Sequence, residues 1–309
     1  MKKLIPILLC ILLLAACAPT YDGPTETVWV LTEERTQHGE DVDASHKIYS
    51  YDIYGNLALS QTSRNGNLSE KTVYTYDDRG NCLTEKQYTK GRWFFSLNFQ
   101  NENTYDSEGR MLTHLHDPAT GEKEYTTYTY EGDTVTTNGS DFYKVERFDE
   151  QGRLIFEEYA AGGTWNRFEY TFGPDGQCLS MRHTDSDGNE LLVYHEYDAQ
   201  GSDILCREVL NGVPAEELRR EYEYDELGRR VRCFNLADGG RREETRWEYH
   251  DGYGSFTAWR DGQRSHSVFY DERGNIIEQV QYYAGTGEIY SRHTYTYSPI
   301  QVPAKEATP

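Results

Sequence analysis

The chain is poor in the residues that build most protein cores and most active sites. Its 309 residues include 3 Met and 6 Cys, and aliphatic residues are sparse beside 26 Tyr. It contains no Gly-x-Ser-x-Gly, no His-Glu-x-x-His and no phosphate-binding loop. These gaps argue against the commonest hydrolases, zinc peptidases and nucleotide-binding enzymes. We therefore expect no catalytic residues, no cofactor and no metal, with a glycan-active carboxylate pair as a remote alternative.

Positive charge is also scarce. The chain carries 31 Lys and Arg against 52 Asp and Glu, a net charge of −21, and removal of Lys2 and Lys3 would make it −23. Such an excess repels nucleic acid, so we expect no nucleic-acid partner. The simplest interpretation is a well-solvated surface, and a basic or metal-rich partner is the alternative.

Long apolar runs are absent except at the N-terminus. Lys2 and Lys3 precede the apolar stretch 4–14, which ends in the small residues Ala15 and Ala16. The stretch is shorter than the roughly 20 residues that a membrane-spanning helix needs. We interpret residues 1–16 as a signal peptide that is removed on export.

The cysteine that follows, Cys17, indicates that this leader belongs to a lipoprotein. Residues 14–17, Leu-Ala-Ala-Cys, resemble a bacterial lipobox, in which the cysteine is acylated and becomes the new N-terminus. The resemblance implies a lipid anchor on Cys17 and a location on the extracytoplasmic face of the cell membrane. Residues 17–27 would then form the lipidated tether. An ordinary cleaved signal peptide with a chance cysteine is the alternative.

The remainder of the chain repeats about every 25 residues, each unit marked by an aromatic residue before an acidic or small one. The eleven anchor aromatics are Tyr51, Tyr76, Tyr105, Tyr130, Phe148, Phe172, Tyr197, Tyr224, Tyr249, Tyr270 and Tyr297. Seven of them are followed by Asp-x-x-Gly, which favours a type I turn closed by a left-handed glycine. The predicted turn residues are Asp52, Gly55, Asp77, Gly80, Asp106, Gly109, Asp149, Gly152, Asp198, Gly201, Asp225, Gly228, Asp271 and Gly274.

A second turn signal, such as Asn65-Gly66 or Asn211-Gly212, lies in the middle of most units. Two turns per unit leave two strands of about eight residues, so every anchor should mark a chain reversal. Alternate positions before each Asp are aromatic on one face and Thr or Glu on the other. We also predict a buried stripe at the third residue after each glycine, namely Leu83, Leu112, Ile155, Leu179, Ile204, Val231 and Ile277.

The Y-x-Y-D-x-x-G-[NR]-L pattern resembles the RHS/YD-repeat family of bacterial surface and secreted proteins, over residues 28–298. The resemblance implies an all-β fold: tandem antiparallel β-hairpin repeats in one long curled or spiral meander of about twenty strands. We expect an open curl or a partial barrel, because the array is too short for the closed shell of long members. The large members end in an effector domain, whereas residues 299–309 carry three prolines and read as a disordered tail.

Four cysteines remain in the array: Cys82, Cys178, Cys206 and Cys233. Cys206 and Cys233 occupy equivalent positions in adjacent units, about 9–10 Å apart across one intervening strand, which is too far for a disulfide. We therefore expect buried free thiols that act as small apolar residues.

Other chemical motifs have simpler explanations. His114 and His116 share one strand face beside Asp117, but a third ligand for a transition metal is missing. Residues 185–189 hint at a calcium loop, and an Asp-Gly hairpin turn explains them equally well. The aromatic ladder could stack on sugars, although holding the sheet together is its simpler role.

These features predict a membrane-anchored extracytoplasmic scaffold that binds an envelope protein or glycan as a monomer. The alternative is an immunity or accessory protein for an RHS-type competition toxin.

Overall fold

The computed structural model describes residues 25–39, 45–237, 240–250 and 252–304, so the proposed signal peptide and Cys17 lie outside the described residues. The described chain is all-β, as predicted, and its antiparallel strands number 22. They are β1 (Thr25–His38), β2 (Ser45–Tyr51), β3 (Leu57–Arg64), β4 (Asn67–Tyr76), β5 (Cys82–Lys90), β6 (Phe95–Tyr105), β7 (Met111–Pro118), β8 (Glu124–Glu131), β9 (Thr134–Asn138), β10 (Phe142–Phe148), β11 (Leu154–Ala161), β12 (Thr164–Phe172), β13 (Cys178–Asp185), β14 (Glu190–Tyr197), β15 (Asp203–Leu210), β16 (Val213–Tyr224), β17 (Arg230–Asn235), β18 (Arg242–Tyr249), β19 (Phe256–Arg260), β20 (Gln263–Tyr270), β21 (Ile276–Tyr282) and β22 (Ile289–Pro303). Nowhere in these ranges is there a helix with the length and apolar character needed to cross a bilayer.

The strands group into two compact units. Unit 1 contains the described residues up to Glu102, the short stretch Pro118–Thr120 and the chain from Ser291 onwards. Unit 2 contains Asn103–Asp117 and Gly121–Tyr290. Within each unit, strands that follow one another in the sequence pair as antiparallel hairpins, for example β4 with β5 and β12 with β13.

The anchor aromatics end strands because the Asp turn follows them directly. Ten of the eleven lie at or next to the end of a strand. Tyr297 is the exception: it lies inside β22, so the predicted reversal there is wrong. The Asp-x-x-Gly quartet that turns the chain elsewhere is missing after Tyr297, where the sequence continues as Ser-Pro-Ile.

The first and last described strands pair with each other. In unit 1, β1 runs antiparallel to β22 from Thr25 opposite Pro303 to His38 opposite Ser291. The predicted open meander is therefore wrong at its ends, because neither terminal strand is a free edge. The same pairing places Thr25–Thr27, assigned to the tether, and residues 299–303, assigned to a disordered tail, in regular strands.

The predicted buried stripe lies on the wrong face. Leu112 and Leu179, three residues after their glycines, are 38% and 42% exposed. A β-bulge after the turn explains the error at Leu179: Phe172 lies opposite Cys178, the second residue after Gly176, just as Tyr76 lies opposite Cys82. The second residue therefore shares the aromatic face, and the third points to the Thr and Glu face.

Buried side chains are few among the described residues, and they are not all apolar. The apolar ones include Val193, Leu205, Phe234 and Val280, and the polar ones are Thr and Ser side chains. Cross-strand hydroxyl pairs also support the Thr and Glu face. Thr75 and Thr84 are 2.7 Å apart, and Thr171 and Ser180 repeat the same spacing. The strands are thus held by backbone ladders, rings and hydroxyl pairs more than by an aliphatic core.

Candidate functional site

The Asp turns have one geometry in all seven predicted positions. In the first, the Gly55 N–H donates to the Asp52 carbonyl at 3.1 Å, and the Asp52 N–H donates to the Asn56 carbonyl at 2.9 Å. The glycine at each of these turns has a φ between 74° and 86°, which only glycine adopts without strain. This is a type I turn with a glycine bulge, and the predicted Asp and Gly residues occupy its first and fourth positions.

The Asp carboxylate supports the turn with both oxygens. Oδ1 of Asp52 accepts the N–H groups of Tyr54 and Asn56, each at 2.9 Å. Oδ2 accepts the side-chain amide of Asn56 at 3.0 Å. The sequence pattern showed Asn or Arg at the fifth position of the motif but did not explain why these residues occur there. Its role is to hold the second carboxylate oxygen.

An arginine at the fifth position does a second job. The guanidinium of Arg153 donates to Asp149 at 2.7 Å and stacks at 4.8 Å on the ring of Phe172, the anchor of the next repeat. Arg229 repeats the arrangement with Asp225 and the ring of Tyr249, at 2.7 Å and 4.1 Å. Each such arginine therefore joins one turn to the anchor of the following repeat.

The anchor tyrosines tie repeats together through their hydroxyl groups. The Tyr76 hydroxyl donates to the Leu57 carbonyl at 2.8 Å, and the Tyr197 hydroxyl donates to the Cys178 carbonyl at 2.8 Å. Both acceptors are the second residue after the glycine that closes the preceding turn, Gly55 or Gly176. Burial, together with the nearby Cys82, Tyr74, Asp52 and Glu85, raises the pKa of Tyr76 to about 12, so this donor stays protonated at neutral pH.

Several of the turn carboxylates have depressed pKa values. The Asn81 amide, followed by backbone N–H groups, holds the pKa of Asp77 below its usual range, and the Asn275 amide does the same for Asp271. The suspected calcium loop belongs to this class. Asp185 accepts the Asn189 amide at 2.9 Å, and this bond heads the causes that lower the pKa of Asp185. Its oxygens are thus used within the turn.

The suspected histidine half-site is also engaged in ordinary contacts. His114 Nδ1 lies 2.7 Å from the Asn103 side-chain oxygen, and Asp117 pairs with Lys123 at 2.8 Å. Among the residues that the structure describes, no three His, Cys, Asp or Glu side chains are grouped so that they could hold a metal ion.

The four array cysteines are free thiols. Cys233 is buried, as expected, while Cys82, Cys178 and Cys206 are only half-buried. Cys206 lies opposite His195, whose Nδ1 is 3.1 Å from Asp203, an arrangement that superficially resembles a nucleophile with its base. Burial and the Asp203 charge raise the pKa of Cys206, so it remains a thiol and is a poor nucleophile at neutral pH.

The turns present variable side chains on this constant frame. No two of the seven Asp turns have the same two residues at their second and third positions, and all of these residues except Ile53 are exposed. They are Ile53-Tyr54, Asp78-Arg79, Ser107-Glu108, Glu150-Gln151, Ala199-Gln200, Glu226-Leu227 and Glu272-Arg273. Among them, Leu227 is 75% exposed. The sequence analysis missed these positions because it treated the turns as structural punctuation.

Comparisons with known proteins bear on the fold alone. No family model matches the chain, and no curated protein matches it in sequence. A solved porin-like protein from Bacteroides uniformis aligns over 89% of this chain and 99% of its own, with 11% identity and a TM-score of 0.35. The structure of TcdB2-TccC3 without its hypervariable C-terminal region aligns over 88% of this chain with 16% identity and a TM-score of 0.40. The chain spans 17% of that protein's length, and neither similarity assigns a family or a function.

Proposed function

We propose that this protein is a lipid-anchored extracytoplasmic scaffold that binds a protein or glycan at the cell envelope through its turns. The observation that carries the proposal is the constant Asp-turn frame with different exposed residues in each copy. Repeat proteins that bind partners keep their framework residues and vary the residues displayed on one surface. Loops fixed on a rigid framework are also where proteins place binding residues.

Rigidity of the frame is what makes a display surface useful. Each Asp carboxylate is bonded to two backbone N–H groups, as at Asp271, whose Oδ1 lies 2.8 Å from the Arg273 N–H and 2.9 Å from the Asn275 N–H. A pre-formed turn loses little conformational entropy on binding, which improves affinity without extra contact area. The displayed side chains in unit 2 range from acidic Glu108 to apolar Leu227, so they suit a specific partner better than a purely electrostatic one.

The test uses the full chain made unlipidated by Cys17→Ala, so that membrane attachment does not obscure binding. It is presented to purified cell-wall glycan and to separated envelope proteins, and the bound fraction is measured against concentration. A display variant replaces the third turn residues of unit 2 by alanine: Glu108, Gln151, Gln200, Leu227 and Arg273. A matched control carries the same number of alanine substitutions on the exposed strand positions of unit 2: Thr129, Thr171, Glu196, Glu221 and Glu248.

We expect saturable binding that the display variant weakens by about tenfold or more, because a few anchor residues carry most of the energy of an interface. The strand control should bind as the parent does. No saturable binding to either fraction, or equal binding by the display variant, would contradict the proposal.

A further inference from the structure

The hairpin that joins β5 to β6 has a charge pattern opposite to that of the whole chain. Residues 86–101 contain Lys86, Lys90 and Arg92 and no acidic residue, although the chain carries 52 Asp and Glu. The same stretch holds five aromatic residues, three of them consecutive at 93–95. We call residues 90–95, Lys-Gly-Arg-Trp-Phe-Phe, the β5–β6 tip. It lies entirely within unit 1.

The backbone of the β5–β6 tip pushes two aromatic side chains into solvent. Lys90 pairs with Phe95, and the Gly91 N–H donates to the Phe94 carbonyl at 2.9 Å, which leaves Arg92 and Trp93 at the apex. Trp93 is 82% exposed and Phe94 is 71% exposed. Exposing two large neighbouring rings is unfavourable in water, and it marks a surface that meets an apolar environment.

Two cations lie over aromatic rings of this hairpin: Arg92 over Trp93, and Lys71 over Tyr88 and Phe95. The Arg92 guanidinium lies 5.3 Å from the Trp93 ring centre. On the adjacent strand, the Lys71 ammonium lies 4.8 Å from the Tyr88 ring and 5.1 Å from the Phe95 ring. Lys71 is preceded on β4 by Glu70, whose carboxylate is paired with Arg64 at 3.2 Å. The positive charge of the tip is therefore not cancelled by that acid.

We propose that the β5–β6 tip is a membrane-interface contact, with Trp93 and Phe94 entering the headgroup region and Lys90 and Arg92 pairing with anionic lipid phosphates. Trp and Phe beside Lys and Arg are the side chains that bind bilayer interfaces. The net negative charge of the rest of the chain has little effect there, because exposed charges are screened beyond about 8 Å at physiological salt. The contact is independent of the envelope ligand and of the Cys17 lipid proposed above.

The position of the tip has a consequence for orientation. Thr25 and the β5–β6 tip lie at opposite ends of the strands of unit 1, and the 14 residues of β1 extend about 45 Å. Residues 18–24 reach about 25 Å when fully extended. If Cys17 is lipidated, both points can meet one bilayer only when these strands lie closer to the membrane plane than to its normal.

The experiment measures co-sedimentation of the unlipidated full chain, Cys17→Ala, with vesicles. One set is phosphatidylcholine alone, and the other is an equimolar mixture of phosphatidylcholine and phosphatidylglycerol. The test variant is Trp93→Ser with Phe94→Ser, the charge variant is Lys90→Gln with Arg92→Gln, and the control is Val213→Ser, which removes a 64% exposed apolar residue beside another turn. All substituted side chains are exposed, and far-ultraviolet circular dichroism with thermal melts checks that each variant folds.

We expect the parent to bind the mixed vesicles more strongly than the neutral ones. The aromatic variant should lose about tenfold in partition coefficient on both, since each ring contributes by burying apolar area. The charge variant should lose its preference for phosphatidylglycerol while the Val213→Ser control stays unchanged. Quenching of tryptophan fluorescence by brominated lipid should fall in a Trp93→Phe variant.

Three results would overturn the proposal: no sedimentation of the parent with either vesicle, an equal loss in the Val213→Ser control, or vesicle binding that the aromatic variant leaves intact. If the parent bound purified cell-wall glycan in a manner that required Trp93 and did not bind vesicles, the proposal would also be overturned, and the tip would be assigned to the envelope ligand. Because this readout uses lipid alone, it is separate from the glycan and protein binding that tests the proposed function.

Discussion

The hydroxyl group of Tyr224 lies 2.5 Å from the carboxylate of Asp198 and 2.7 Å from the hydroxyl of Ser202. In most repeats the anchor tyrosine donates to a backbone carbonyl of the preceding repeat, and Asn or Arg occupies the second carboxylate oxygen. Ser202 stands where that Asn or Arg would be, and its side chain is too short to reach Oδ2. The Tyr224 hydroxyl, from the next repeat, donates to this oxygen instead. A residue of a different strand therefore completes the hydrogen bonds of this turn.

Tyr224→Phe should destabilise the protein more than Tyr249→Phe. The first change removes a hydrogen bond to a charged acceptor, which contributes about 1.5–3 kcal/mol, and solvent screening at this half-exposed position brings the expectation to about 1–2 kcal/mol. The second removes a 3.1 Å bond to the neutral Arg230 carbonyl and should cost about 0.5–1 kcal/mol. Urea unfolding of both variants measures the difference, and equal losses would show that the Asp198 bond adds nothing.

Asn81→Ala should make the protein less stable at neutral pH, with an effect that disappears in acid. Asp77 has a pKa lowered chiefly by the Asn81 amide, so its contribution to stability is present above the unfolded value of about 3.9 and is lost as pH falls through the folded value. Below that pH the protonated carboxyl no longer favours the amide, and parent and variant should converge. The free energy of unfolding, measured from pH 7 to the lowest pH at which the parent folds, gives the comparison.

Asp78→Asn is the control for that series. It removes a charge beside the same turn but leaves the Asp77 carboxylate and the Asn81 amide in place. Its stability should follow the parent across the whole pH range. A constant offset between Asn81→Ala and the parent, with no convergence below about pH 4, would show that the carboxylate–amide bond is not the cause.

Gly55→Ala should cost more than Gly152→Ala, although both glycines occupy the same turn position. Their φ values of 86° and 74° impose a similar strain on alanine, about 1–2 kcal/mol. A Cβ at Gly55 would lie 3.1 Å from Cγ1 of buried Val302 on β22, whereas a Cβ at Gly152 meets no atom within 4 Å. Gly55→Ala should therefore lower the thermal unfolding midpoint less when it is made in a Val302→Ala background than when it is made in the parent. Equal costs of the two single changes would contradict the packing of this turn on β22.

The sequence predicted the turns well because their causes are local. Asp-x-x-Gly and Asn-Gly specify backbone conformations within four residues, and Asn65 and Gly66 adopt the positive φ values of 49° and 72° that such a hairpin turn requires. The aromatic and Thr faces followed for the same reason, since alternation along one strand needs no knowledge of its neighbours. The existence of about twenty strands could therefore be predicted from turn spacing.

The errors arose where the answer depends on pairing. The register shift between Thr171 and Phe172 offsets the outgoing strand by one residue, so Leu179 is exposed and does not belong to a buried stripe. Pairing of Thr25 with Pro303 joins residues far apart in the sequence, and no local pattern announces it. The role of Tyr224 was hidden for the same reason, because its acceptor Asp198 belongs to another repeat.

We propose that a lipid on Cys17 holds this scaffold at a membrane. Fractionation of cells that express the parent or Cys17→Ala measures this directly. Membranes are washed in high salt, which weakens any contact made through surface charge. A doubly acylated cysteine withstands such a wash, whereas protein without it does not. We predict that the parent stays in the washed membranes and that Cys17→Ala is released as soluble exported protein. Retention of Cys17→Ala in the washed membranes, or release of the parent, would show that a lipid on Cys17 does not anchor the protein.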